Sequence, residues 1–298
     1  MGGGAGYWLY LLPGLVLFTV VIGAPLVANL GLSLTTWRGV GTPEWAGLDN
    51  YTELAGDAVF WQSFRNNLVL IVAIVIIPAT LGLLLSAALF DLVAPRFGER
   101  WASFLRAGYY LPQLLPIAVA GVVWGWILNP RYGVLNTALE EVGLESLTRN
   151  WLGDRSTALL SVGAVMVWFQ LGYPIVIFMA ALSRVDPELH EAAALDGAGW
   201  LRRFRHVTVP MIRPEIMVVL LTTTVHALKV FAQVYVLTGG GPGNATNVPA
   251  YFAYQNFFER SRVGYGSAVA NVLTVLVVGV MIVFLRVQAA GEREALGR

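Results

Sequence analysis

The sequence predicts an all-α, polytopic membrane protein with about six transmembrane helices. Three observations carry this. Hydrophobic residues make up 57% of the 298 residues and charged residues only 12%, against about 25% charged in a soluble domain. Mean hydropathy is +0.66. Charge-free windows run 1–37, 66–90, 107–130, 156–183 and 263–285, with another at 216–258 broken only by Lys229. About 20 apolar residues cross the hydrocarbon core, so each window holds one helix and none comfortably holds two. Open strands cannot cross lipid, because their edge N–H and C=O groups stay unpaired. The short alternating segments of a barrel are absent.

The elements follow in chain order, as a single transmembrane domain over 1–298. The first span is placed near 8–33. Its uncharged leading tail lacks the basic n-region of a signal peptide, so the span is expected to be retained. The next spans are placed near 68–90, 107–129, 157–183, 214–238 and 266–287. Pro13, Pro25, Pro78, Pro112, Pro116 and Pro174 fall in the spans. Neighbouring helices re-satisfy the carbonyls that such prolines free, and ordinary kinking is preferred here over broken helices. With the amino terminus inside, the inner segments hold eleven arginines and the longer outer segments seven. The positive-inside rule then puts loop 184–213 and both termini in the cytoplasm.

Several chemistries are excluded. Without cysteine there is no disulfide, thiolate metal site or cysteine nucleophile. His190, His206 and His226 are scattered and form no H-E-x-x-H pair, so no metal site and no catalytic residue is assigned. The only lysine, Lys229, is not preceded by the glycines of a P-loop, so the chain supplies no nucleotide site of its own and is not read as an enzyme. A net charge of +1 without a basic cluster gives no case for nucleic acid.

Loop 184–213 departs from its surroundings. Asp186 suits a helix N-cap and Pro187 the first helical position. Glu188 and Glu191 fall where the helix dipole favours acids. Ala192, Ala193 and Ala194 propagate a helix well. Gly197 or Gly199 can end it with a positive φ. A second short helix is expected over 200–207, carrying Arg202, Arg203 and Arg205, with Pro210 closing the loop. Physics alone leaves two uses open: docking of a small-residue helix into another protein's groove, or an amphipathic loop held on anionic lipid by its arginines.

The spacing favours the first. Glu191-Ala192-Ala193, three residues, Gly197, nine residues, Val207, one residue and Val209-Pro210 resembles the E-A-A-x3-G-x9-I-x-L-P loop of ABC importer permeases. Val207 and Val209 stand where the family has Ile and Leu. The stretches "GLDNY" at 47–51, "WILNPRYGVLN" at 126–136, "NWL" at 150–152, "VYVLTGGGPGNAT" at 234–246 and "GYGSAVANVL" at 264–273 look like the carbohydrate branch, similar to maltose- and glycerol-phosphate-type permeases. The likeness covers about residues 8 to 290. The short, uncharged amino-terminal tail departs from it, since relatives often carry basic residues there.

The resemblance implies a type I ABC importer permease of the bacterial cytoplasmic (inner) membrane, surrounded by membrane lipid and importing a sugar or related polyol by alternating access. It implies a coupling helix around Glu191, Ala192, Ala193, Gly197 and Pro210, seated in a cleft of a separate ATPase dimer. ATP and Mg²⁺ then belong to those partners, and this chain carries no cofactor. A second permease subunit is implied, as is an extracytoplasmic substrate-binding protein that meets outer loops such as Gly239, Gly240, Gly241, Pro242 and Gly243. Those glycines also read simply as a turn between spans. The alternative function is a secondary transporter or channel working without an ATPase.

In the fifth span Thr222, His226, Lys229 and Gln233 fall at i, i+4, i+7 and i+11, one face of a continuous helix. An intramembrane lysine faces a cavity or a partner. The stripe is therefore a candidate translocation path, with a structural hydrogen-bonding stripe or a subunit-interface face as the competing readings. The family's polar sugar-contacting positions map to Thr223, Ala227 and Val230, two of which are apolar here. Trp124, Trp126 and Tyr173 suit stacking on a sugar, but aromatics at that depth are more often lipid anchors.

Overall fold

The computed structural model describes residues 4–296, with side chains described over 10–290. The outermost residues, 1–3 and 297–298, lie outside the described residues, so the cytoplasmic placement of the two termini does too. Among the described residues the fold is helical, with a single isolated antiparallel bridge between Thr35 and Trp45.

Four helices are individually long and apolar enough to cross a membrane. They are α1 (Tyr10–Leu32), α2 (Ala58–Phe97), the consecutive segments α5 (Ala158–Gln170) and α6 (Gly172–Leu182), and the helix opening at Val263. Two bent pairs bring the number to six when each counts as one crossing: α3 (Glu99–Leu114) with α4 (Ile117–Ile127), and α8 (Trp200–Met211) with α9 (Arg213–Leu228). Between these lie α7 (Pro187–Leu195) and α10 (Ala232–Leu237), and the helix opening at Val263 is α11 (Val263–Leu296).

The chain divides into two compact units. The first comprises Met1–Trp61 and Pro249–Leu276. Amides stitch it together, with Asn29 Nδ2 donating to Asn271 Oδ1 at 2.6 Å and Asn50 Nδ2 to the Ser33 and Thr35 carbonyls at 2.8 Å. The Tyr265 hydroxyl donates to Asp57 at 2.6 Å, and Arg262 lies 4.2 Å over the Tyr265 ring while pairing with Glu53.

The second unit comprises Gln62–Val248 and Val277–Arg298. Its core joins α2, α6 and α9 through Ala79, Phe178, Ala181, Leu182 and Val219. Small residues set the closest approaches, as expected where lipid gives helices no hydrophobic reason to associate. A Cβ on Gly172 would lie 2.5 Å from the Tyr109 carbonyl oxygen, and one on Gly82 2.7 Å from Pro174 Cβ.

Two predicted spans are not continuous helices. The third, expected as one helix over 107–129, breaks at Leu115–Pro116 with a bend of 98°. Pro116 lacks an N–H and pushes the preceding residue out of the α region, and Leu115 is accordingly extended, with ψ 138°. Of the prolines read as simple kinks, Pro116 is the one at a break. The fifth, expected over 214–238, stops at Leu228 and resumes at Ala232, with Phe231 at φ −141°, ψ −62°. No glycine or proline lies there. Instead the buried Asn67 of α2 donates its Nδ2 to the Ala227 carbonyl at 3.0 Å, taking up an acceptor at the interrupted end.

Candidate coupling loop and transmembrane cavity

Loop 184–213 folds much as its local chemistry dictates. Asp186 Oδ1 accepts from the Glu188 N–H at 3.0 Å, and Pro187 occupies the first turn of α7. At the other end Gly197 has φ +76°, while Gly199 stays at −64°. Gly197 N–H donates to the Ala194 carbonyl and Ala198 N–H to the Ala193 carbonyl, each at 3.0 Å. These two bonds are the Schellman arrangement, so Gly197 rather than Gly199 ends the helix. Helix α7 carries Glu191, Ala192 and Ala193 and buries no residue. Leu195 is 90% exposed, an apolar side chain at the tip of the loop.

The second loop helix runs further than expected, to Met211, through a π turn over Phe204–Thr208. Pro210 does not close the loop by itself. It sits in the short turn Val209–Met211, and Ile212 marks the corner into α9. Two contacts fasten the loop: an Arg184–Glu215 ion pair across its base, and a bond at 2.8 Å from Trp200 Nε1 to Asp91 Oδ2 at the end of α2.

A cavity of about 590 Å³ lies within the second unit, and both helix breaks open onto it. Leu115, Pro116 and Ile117 come from one break and Lys229, Val230 and Phe231 from the other. Gln113, Gln170, His226, Lys229 and Gln233 supply its polar lining, beside Phe169 and Phe231, and no carboxylate is among the lining residues. Gln113 Oε1 is buried without a protein partner among the described residues. Lone-pair acceptors, N–H donors, one cation and aromatic edges together suit a polar, hydroxyl-rich solute.

The predicted stripe divides at the break. His226, Lys229 and Gln233 line the cavity. Thr222 and Thr223 do not: Thr222 is engaged with the Tyr173 hydroxyl at 3.0 Å and the Val218 carbonyl at 2.8 Å, and the fully buried Thr223 donates to the Val219 carbonyl at 2.6 Å. Tyr173 is thus tied to α9, Trp124 packs edge-on against Trp168 at 5.3 Å, and Trp126 is exposed. Gln113, Gln170 and Asn67 went unnoticed in the sequence. All three are amides in charge-free windows.

The glycine loop after α10 is held rather than open. Gly239, Gly240 and Gly243 take φ of +56°, +76° and +52°. Thr246 donates to the Gly241 carbonyl beside Pro242 at 2.8 Å, Arg155 to the Gly243 carbonyl at 2.9 Å, and Asn66 to the Asn244 carbonyl at 3.0 Å. Nearby, Ser156 bonds Asp154 through both its N–H and its hydroxyl at 2.8 Å, holding that exposed carboxyl below its ordinary range.

Comparison with known proteins agrees with this architecture. The family described as "Binding-protein-dependent transport system inner membrane component" matches residues 92–290. The probable ABC transporter permease protein YurN of Bacillus subtilis (strain 168) is 37% identical over 289 residues, 96% of this chain and 97% of its own. The sulfoquinovosyl glycerol transport system permease protein SmoG of Agrobacterium fabrum is 33% identical over 94% of this chain and 89% of its own. The trehalose/maltose transport system permease protein MalF of Thermococcus litoralis is 32% identical over 94% and 92%. A chain in the crystal structure of a bacterial alginate ABC transporter, in complex with an alginate pentasaccharide-bound periplasmic protein, superposes with a TM-score of 0.79 at 20% identity, covering 93% of this chain and 92% of its own. That last likeness is one of fold. With a family match over most of its length and relatives above 30% identity from end to end, the chain belongs to the binding-protein-dependent transport system inner-membrane components.

Proposed function

We propose that this chain is the permease subunit of an ATP-driven importer of a sugar or related polyol. The observation that carries the reading is α7: an exposed helix, capped at both ends, bearing Glu191, Ala192 and Ala193 inside the family-matched segment. A helix of nine residues is marginal alone, so its cap, its Schellman end and the Arg184–Glu215 base give it a defined shape to present. On this reading it docks, with Gly197 and Pro210 framing it, into a cytoplasmic ATPase dimer that holds ATP and Mg²⁺. A second permease subunit completes the pathway in the inner membrane. The loop at Gly239–Gly243 faces an extracytoplasmic binding protein.

The substrate class rests on the relatives named for sulfoquinovosyl glycerol and trehalose/maltose transport. The cavity supports it, because amides and a lysine around aromatic rings match hydroxyl-bearing solutes. His226, Lys229 and Gln233 are the proposed path, with Gln113 and Gln170 added. Thr222 serves it from behind by tying α9 to Tyr173 of α6, and Thr223 bonds within α9 itself. Transport proceeds by alternating access. ATP biases the two states through the docked loop, since a ligand shifts an equilibrium only by its differential affinity for them.

The test is purification of the tagged chain from native membrane, followed by reconstitution with its binding protein. A co-purifying ATPase that the loaded binding protein stimulates is the expected result. Sugar flux by this chain without any ATPase would instead establish a secondary transporter and overturn the proposal.

A further inference from the structure

Trp200 opens α8, and its indole stacks on Phe204 with ring centres 5.3 Å apart and planes 12° from parallel. That stack aims Nε1 at Asp91 Oδ2, 2.8 Å away. Asp91 belongs to the π turn Leu89–Val93 of α2. Between α7 and this turn lies a cleft of about 570 Å³ lined by Asp91, His190, Glu191, Trp200, Arg203 and Phe204. The indole–carboxylate bond therefore bridges the loop to α2 across open space.

The other end of α2 reaches the cavity. Ile74 lines it, and Asn67 holds the Ala227 carbonyl at the break before Lys229. Asn67 and Asp91 are 24 positions apart on one long helix, about 36 Å at 1.5 Å per residue. One helix, passing through π turns at Val72–Ile76 and Leu89–Val93, thus touches the loop at Asp91 and the cavity wall at Asn67 and Ile74.

We propose that Asp91 and Trp200 are positioning residues that make α2 follow the coupling helix, so that nucleotide-driven movement of the loop reaches the break at Lys229. This rests on the reading of loop 184–213 as the ATPase-coupling element. The working contact is the hydrogen bond. Arg203 lies in the same cleft, with Nε buried and unpartnered among the described residues, so an attraction between the Asp91 charge and Arg203 is the competing cause. A pathway claim needs measured coupling, because proximity does not supply it.

The chain contains no cysteine, so introduced cysteines give unique spin-label sites in it. In the full reconstituted importer one pair is Ala194→Cys with Phe97→Cys, reading loop to α2. The other is Phe97→Cys with Leu160→Cys, reading α2 to α5. Distances are compared without nucleotide and with ATP plus vanadate. In the otherwise unsubstituted importer the first distance is expected to hold while the second shifts. Asp91→Ala should let the first distance shift and abolish most of the second shift, while ATP hydrolysis continues. Trp200→Phe keeps the ring stack, loses the donor and should do the same. Asp91→Asn retains an acceptor oxygen and should behave as the parent.

A first distance that holds in Asp91→Ala overturns the proposal. So does an Asp91→Asn protein that behaves like Asp91→Ala, because the charge rather than the hydrogen bond would then be at work. If neither distance responds in the unsubstituted importer while its ATPase turns over, the coupling reading fails and takes this proposal with it.

Discussion

Substituting Gly197 separates backbone conformation from bulk at the end of the proposed coupling helix. Its φ is +76°, and a Cβ built there meets nothing within 4 Å. Gly197→Ala therefore introduces no clash, and its cost is the left-handed backbone penalty of about 1 kcal/mol. Gly197→Asn should cost less, since asparagine tolerates this region. Gly197→Pro fixes φ near −65° and deletes the N–H that bonds the Ala194 carbonyl, a loss of about 3 kcal/mol or more. Because α7 is short and buries nothing, such losses fall on the folded fraction available for docking. At 1.4 kcal/mol per tenfold, affinity for the ATPase subunits should drop about fivefold for alanine and about a hundredfold for proline. Titrating purified ATPase against permease in nanodiscs measures this, and amide exchange over 187–198 reports the helix itself. Equal affinities for alanine, asparagine and proline would refute the argument, since only φ and the lost N–H distinguish them.

Three further outcomes follow from packing and from the cavity. Gly172→Ala would place Cβ 2.5 Å from the Tyr109 carbonyl oxygen and 2.6 Å from Tyr110 Cα, a backbone clash worth about 1–3 kcal/mol. Its thermal unfolding midpoint in detergent should fall, whereas Gly125→Ala, inside α4 with nothing within 4 Å of its added methyl group, should not lower the midpoint and can raise it slightly through helix propensity. Asn67→Leu removes the side-chain donor to the Ala227 carbonyl, which keeps the Val230 N–H at 3.4 Å, and should cost about 0.5–1.5 kcal/mol for the lost hydrogen bond, lowering the midpoint and slowing uptake together. Lys229→Met should abolish most uptake while leaving the assembled complex intact on size exclusion. Unchanged uptake and assembly would remove Lys229 from the path.

What could be read from the sequence was what neighbouring residues decide among themselves. Asp186, Pro187 and Gly197 shape α7 through bonds spanning no more than a few residues, so their chemistry was visible in advance. The choice between Gly197 and Gly199 needed only the bond from Ala198 back to Ala193. The charge-free windows likewise marked the long apolar helices and the bent pairs, because cost in lipid is a local property. The break at Lys229 was not visible, because nothing beside it causes it. Residues 226–233 contain neither glycine nor proline, and the amide that binds the Ala227 carbonyl comes from 160 positions away. The i, i+4, i+7, i+11 stripe assumed a helix that continues. Once it stops, Thr222 turns to Tyr173 while Lys229 and Gln233 join Gln113 at the cavity.

A sign of this was nonetheless present. Asn66 and Asn67 stand in the second charge-free window, Gln113 in the third and Gln170 in the fourth. An amide in hydrocarbon is costly unless it is bonded, and inside a regular helix the backbone offers it few free partners. Such a residue therefore implies a polar partner on another segment, either a second side chain or a backbone group that has left its own ladder. Asn67 found the carbonyl at the end of α9, and Asn66 found those of the glycine loop at Asn244 and Asn247. In a chain this apolar, an amide within a window points to a break that no proline marks, as Asn67 does for the one before Ala232. A proline shows only where one backbone bond is missing, whereas an amide shows that its helix must meet a polar partner, which for Asn67 is the interrupted end of α9 and for Asn29 is the side chain of Asn271.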